Sequence, residues 1–211
     1  MENDTPNKIK ISKEIIATLP IETFPGKIVV IDNERDADNA VLQLNNERII
    51  GFDTETRPTF KKGKSNHVAL IQLSTHDTCY LFRINRIGFP PAIKNLLENE
   101  SLLKVGISLK DDFCMLSRLN GGQFIPKNFI ELQKFVKKYN IEDQSLQKIY
   151  GIVIGKKISK GQRLSNWEAD HLTENQQLYA ATDAWSCIKI YEVLKSGKFK
   201  SPIYKIQPSS L

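Results

Sequence analysis

The chain has 211 residues, a formal net charge of +6, and 40% hydrophobic and 26% charged residues. That is enough for one substantial core, too apolar for gross disorder, and basic enough to favour a polyanionic partner over an acidic one. Cys79, Cys114 and Cys187 stand apart without Cys-x-x-Cys spacing, which argues against a disulfide framework or a structural zinc site and favours a reducing compartment.

Residues 1–26 are polar, with a short amphipathic piece (Ile11, Ile15, Ile16, Leu19) before Pro20 and Pro25, and read as an arm or short helix packed on the outside. Residues 27–31 form a brief strand. Residues 36–45 place Ala37, Ala40, Val41 and Leu44 at helical spacing. A strand over 48–55 follows, stopped by Arg57-Pro58. Beyond a basic, turn-rich loop at 59–66, strands are expected over 68–74 and 78–84, with His76-Asp77 as the turn. Three strands with short connections predict an antiparallel meander. Then the pattern alternates: a helix at 92–98, a strand at 102–107, a helix at 109–119 stopped by Asn120-Gly121-Gly122, a short strand at 129–132 and a helix at 133–139. A short helix at 145–150 ends at Gly151, a basic loop spans 155–166, and a long helix runs over 173–195, opened by Thr173 with Gln176. The expected architecture is α/β, a mixed sheet with helices on both faces. It forms one domain over 27–197, with an arm at 1–26 and a tail at 198–211. No apolar run approaches a membrane span, and Met1-Glu2-Asn3-Asp4 lacks a signal-peptide pattern, so a soluble, cytoplasmic or otherwise intracellular protein is expected. His67, His76 and His171 have no paired ligand spacing and read as surface or loop histidines.

The strand at 48–55 carries Gly51-Phe52-Asp53-Thr54-Glu55. Side chains alternate along a strand, so Asp53 and Glu55 share one face about 7 Å apart. Alone, such a pair is a solvated strand end. In the helix at 109–119, the apolar stripe Leu109, Phe113, Leu116 and Leu119 leaves Asp111 outward and turns Asp112 toward the core. A carboxylate turned inward needs a partner or a cation. In the long helix, Ala180, Ala184, Cys187, Ile188 and Tyr191 make the stripe, and Tyr179 and Asp183 share a face at its flank. Four carboxylates converging without basic neighbours would be held by divalent, oxygen-loving ions such as Mg²⁺ or Mn²⁺. Two such ions suit in-line displacement at phosphorus, in keeping with a basic chain.

These residues also carry a resemblance. Asp53-Thr54-Glu55 followed by Val68-Ala69-Leu70-Ile71-Gln72-Leu73 resembles the first motif of the DEDD-type 3′–5′ exonucleases and the strand after it. The run from Val105 to Asp112 is similar to their second motif, with Asp112 as its acid. Ser165-Asn166-Trp167, then Leu172-Thr173, then Tyr179-Ala180-Ala181-Thr182-Asp183 resembles the third, in the tyrosine (DEDDy) subclass. The chain is similar to the Werner-type exonuclease domains and the RNase D group. The resemblance implies an RNase H-like fold and a two-metal hydrolysis that releases nucleoside 5′-monophosphates from a DNA or RNA 3′ end. It implies that Asp53, Glu55 and Asp183 hold one metal and Asp53 and Asp112 the other, while Tyr179 orients or helps deprotonate the water. Thr54 would touch the terminal nucleotide through its backbone. Ser108 departs from the asparagine of polymerase-type relatives and Cys114 from a Werner-type tryptophan. Room is lacking for the extra helical domains of RNase D, so a stand-alone nuclease domain is expected.

Lys61, Lys62, Lys64, Lys156, Lys157, Lys160 and Arg163 are candidate phosphate contacts, with Lys160 and Arg163 foremost because their loop leads into the third-motif helix. Trp167 reads as a packing residue. The leading expectation is a metal-dependent exonuclease with DNA slightly preferred. An RNase D-type exoribonuclease, a catalytically silent nucleic-acid-binding module and an α/β scaffold for protein contacts stand as alternatives.

Overall fold

The run Val-Ala-Leu-Ile-Gln-Leu-Ser is buried at every position. A strand apolar on both sides belongs inside a sheet covered on both faces. In a computed structural model, which describes residues 8–57 and 67–200, this run is β3 (Val68–Ser74) of a six-stranded sheet. The other strands are β1 (Lys27–Ile31), β2 (Ile49–Thr56), β4 (Thr78–Phe82), β5 (Leu103–Gly106) and β6 (Phe129–Glu131), in the order β1-β4-β3-β2-β5-β6. The meander holds: β2–β3 and β3–β4 are antiparallel, while β1, β5 and β6 add in parallel.

Each sheet face carries its own core. On one lie α2 (Glu34–Leu44), α4 (Pro91–Leu97) and α5 (Leu109–Leu119), packed through Ala37, Leu44, Leu97 and Leu116 on Ile50, Phe52 and Ile71. On the other lie α7 (Leu146–Ile154) and α8 (Glu174–Lys195), packed through Ile149, Tyr150, Ala180, Ala184 and Cys187. The described part of the N-terminal arm belongs to this second layer. Its helix α1 (Lys13–Thr18) and Ile9, Ile11, Ile16, Leu19 and Phe24 are buried against it, and Ile9 and Ile21 bridge to Ile141 and Lys157.

Several elements differ from their sequence expectation. The third strand ends at Phe82, because Arg83 turns inward and residues Ile84–Ile87 form a helical turn, α3. Helix α7 continues through Gly151 to Ile154 and closes at Gly155, whose φ of 74° suits a glycine stop. A Cβ on Gly151 would lie 3.2 Å from Leu19 and 3.4 Å from Ile11, so this glycine admits the N-terminal segment rather than ending the helix. The helix at 133–139 is α6 (Leu132–Phe135) plus a 3₁₀ turn, Val136–Tyr139, closed by Asn140 at φ 60°. Leu119 is 39% exposed, and Met115 packs on the core in its place. Helix α8 has no single stripe: residues 179–188 are buried all round, because sheet and α7 layer cover opposite sides. The expected capping box of Thr173 and Gln176 is present.

Candidate active site

Strand β2 turns Gly51, Asp53 and Glu55 toward α8. The approach there is close: a Cβ on Gly51 would stand 1.9 Å from the Ala184 carbonyl oxygen. Only glycine permits it, and the residue before Ala184 is Asp183. Asp53, Glu55 and Asp183 consequently offer one carboxylate oxygen each, all within 4.8 Å of one another. From the opposite layer, Asp112 stands in the first turn of α5 and is 9% exposed, whereas Asp111 is exposed. Thr54 joins the two layers by donating its hydroxyl to Asp112 Oδ1 at 2.5 Å.

Crowding these acids out of water disfavours their charged forms. Burial first, then Asp183, Glu55 and Asp112, push the Asp53 carboxyl well above its usual range. Burial and the charges of Asp183 and Asp112 raise Glu55 to about 9. Burial raises Asp183 to about 7 against the hydrogen bond from Tyr179 and the charge of Lys160. Burial raises Asp112 to about 6 against the bond from Thr54. Tyr179, buried beside Asp183 and Glu55, is pushed upward and keeps its proton. The expectation of acids without basic neighbours needs correction: Arg163 faces Glu55 and Lys160 faces Asp183. Both cations are exposed, and desolvation outweighs them.

The four acids, Tyr179, Thr54, Ser108, Lys160 and Arg163 line one open cavity of about 390 Å³. The loop that presents the two cations is pinned from behind. Gln176 donates to the Asn166 carbonyl, and Arg83, 2% exposed, donates to the carbonyls of Ala169 and Asp170. Trp167 is buried with its ring 6.0 Å from that of Tyr179, as a packing residue. Lys156 and Lys157 turn elsewhere: Lys156 pairs with Glu22 at 2.8 Å and Lys157 bonds the Ala17 carbonyl, so they brace the N-terminal segment. Lys61, Lys62 and Lys64 lie outside the described residues. His76 pairs with Glu192 at 3.0 Å, away from the acids.

Three supporting residues escaped sequence reasoning. Glu131 accepts from the backbone N–H groups of Ser108, Leu109 and Gln133, at 3.1, 2.8 and 3.0 Å. It thereby caps α5 and fixes the turn that carries Asp112. The cap is needed because Ser108 enters α5 at φ 59° without a side-chain cap of its own. Arg83 is the second. The third is Gln72, fully buried, paired with Asp53 across the ladder and so on its face, with no partner for its amide among the described residues. A polar residue in an apolar strand was the available signal for Gln72; Glu131 and Arg83 had none.

A family model described as 3′–5′ exonuclease matches residues 28–197. The bifunctional 3′–5′ exonuclease/ATP-dependent helicase WRN of Mus musculus is 36% identical over 203 residues, which cover 90% of this chain and 14% of that protein. A 3′–5′ exonuclease of Arabidopsis thaliana is 29% identical over 192 residues, covering 83% of this chain and 66% of the relative. The chain thus spans only part of the relatives it matches. Among solved structures, the Nibbler EXO domain of Aedes aegypti superposes with a TM-score of 0.74 at 23% identity, covering 83% of this chain and 91% of that one. RNase D of Escherichia coli gives 0.72 at 20%, covering 82% and 45%. These two share the RNase H-like arrangement of the mixed sheet. With the family match extending over most of its length, the chain belongs to the 3′–5′ exonuclease family.

Proposed function

We propose that this protein is a metal-dependent 3′–5′ exonuclease that removes nucleoside 5′-monophosphates from nucleic-acid 3′ ends. The observation that carries the reading is the convergence of Asp53, Glu55 and Asp183, with Asp112 tied in through Thr54, in one open cavity. The donor set fits hard divalent cations: all ligating atoms are oxygen, and the burial and mutual repulsion that raise the carboxyls are what a divalent ion offsets. In our assignment Asp53, Glu55 and Asp183 would hold one Mg²⁺ or Mn²⁺, and Asp53 with Asp112 a second. Two such ions, when bound, supply charge neutralisation and an activated water for displacement at phosphorus.

The chain's own groups then have distinct tasks. Tyr179, which keeps its proton, orients the attacking water by hydrogen bonding. Lys160 and Arg163, exposed at the mouth of the cavity, meet the phosphate of the bond to be cut. Thr54 presents its backbone to the terminal nucleotide while its hydroxyl holds Asp112. We take residues 27–197 as the catalytic unit, with 1–26 and 198–211 as arm and tail.

We place DNA ahead of RNA as the order to be tested, with an RNase D-type exoribonuclease as the second reading. The test is a panel of single-stranded DNA, recessed duplex DNA and RNA, each labelled at the 5′ end and incubated with Mg²⁺ and with Mn²⁺. Progressive shortening, fastest on DNA, is expected. Faster shortening of RNA would move the assignment to the RNase D type, and binding without shortening on any substrate would make this a silent module.

A further inference from the structure

The cavity of the acids continues beyond them. It shares Ser108 and Asp111 with a second depression of about 650 Å³ between α5 and α6. That depression shares Lys137 and Gln144 with a third, of about 520 Å³, against the N-terminal segment. One groove therefore leads from Asp112 around the start of α5 and along the α6 turn.

Its middle section combines two chemistries. Lys110, Lys134 and Lys137 line it, all exposed and without an ion pair among the described residues. Of the acids there, Glu131 is committed to three backbone N–H groups, which leaves Asp111 alone against three cations. At the far end Lys8 and Lys10 are both bound to Glu142, at 2.5 and 3.0 Å, and so add little. The floor is aromatic: Phe113 and Phe129, rings 4.8 Å apart, reach this depression while partly buried. Cations that track a phosphate backbone beside aromatic rings that accept bases are the chemistry of single-strand binding. A duplex, with its bases turned inward, would leave those rings unused.

We propose that the strand leading to the hydrolysed 3′ end lies in this groove as a single strand, its phosphates on Lys110, Lys134 and Lys137 and a base against Phe113 and Phe129. The proposal rests on the exonuclease reading above, and it adds the path and strandedness of the substrate.

The test compares wild type with the triple variant K110E/K134E/K137E on two substrates. A p-nitrophenyl ester of thymidine 5′-monophosphate reports on the catalytic centre, and a twelve-nucleotide single-stranded DNA on the groove. The ratio of kcat/KM for oligonucleotide to ester is expected to fall about 10- to 100-fold. In fluorescence anisotropy with the same DNA in EDTA, the slope of log affinity against log salt is expected to shrink by about 2, three phosphate contacts at about 0.7 each. The variant K195E, at the far end of α8, keeps both values. An unchanged ratio, or an unchanged salt slope, overturns the groove assignment. A wild type that cleaves neither substrate sinks the exonuclease reading instead, and the anisotropy slope still decides the groove.

Discussion

At the scale of single residues, the site depends on how each carboxylate is held, and Asp112 is held by the Thr54 hydroxyl. Strand alternation put Asp53 and Glu55 on one face, and helical phase turned Asp112 inward and Asp111 outward; both arrangements are observed. What no local rule supplies is the bond from Thr54 to Asp112, which joins residues from opposite layers. Removing it with Thr54→Val leaves a buried carboxylate without its donor, a loss of about 1–3 kcal/mol for that group. Through Asp112, affinity for Mn²⁺ in calorimetry is expected to fall roughly 10- to 100-fold, the usual effect of deleting a hydrogen bond that orients a ligand. Thr54→Ser, which keeps the hydroxyl, is expected to restore most of it. Equal losses in both variants would remove Thr54 from this role.

At the scale of elements, the site depends on how closely α8 approaches β2. Gly51 had no role assigned from the sequence, yet the 1.9 Å separation between its virtual Cβ and the Ala184 carbonyl makes it the hinge of the arrangement. Gly51→Ala must push α8 away from the sheet. Overpacking of this kind costs about 1–3 kcal/mol or more, visible as a lower urea midpoint. Because Asp183 moves with the helix, activity is expected to drop by about a hundredfold, the usual result of a misplacement near 1 Å. A variant with wild-type midpoint and rate would show that the sheet and helix yield without consequence. The same element shows why periodicity is partial information. Tyr179 and Asp183 were expected at the flank of one stripe, whereas α8 is covered on opposite sides and needs no polar face over residues 179–188. Gly151 misled for a related reason: its smallness serves a neighbour across the fold, and the chain alone does not reveal that neighbour.

At the scale of the whole molecule, the N-terminal segment is fastened to the helical layer through Glu22. Its carboxylate takes bonds from Tyr150 and from Lys156 and Lys189, at 2.8 and 2.9 Å for the two lysines. Burial opposes ionisation, yet these three donors outweigh it and bring Glu22 down to about 2. A carboxyl lowered on folding stabilises the protein above its unfolded value, near 4.5, and that contribution disappears as pH falls from there to about 2. Glu22→Gln is therefore expected to cost about 1–2 kcal/mol at pH 7, after solvent screening, and little at pH 2, where the carboxyl is half protonated in the folded protein. Urea midpoints of both proteins between pH 2 and 7 measure this; parallel curves would contradict it. None of it was visible in sequence, where Lys156 read as a phosphate contact because nothing showed that residue 22 lies beside it.

The antiparallel meander and the mixed sheet with helices on both faces were legible because three strands follow one another with short connections and helices and strands then alternate, and the four acids emerged because three separate motifs agreed. The account makes Asp53 the pivot of those acids, facing Glu55, Asp183 and Asp112 together. The most direct measurement is nucleotide release from the 3′ end of a single-stranded oligonucleotide by wild type and Asp53→Asn, with Mn²⁺ and with EDTA. Wild type should release 5′-mononucleotide with the metal and none with EDTA. Asp53→Asn should be slower by about 10²- to 10⁴-fold, the rate equivalent of several kcal/mol of lost charge stabilisation. Its metal-free unfolding temperature should be no lower than that of wild type, because the substitution removes a carboxyl whose ionisation burial and the neighbouring acids oppose. Wild-type rates in the variant, or undiminished release in EDTA, would contradict the account.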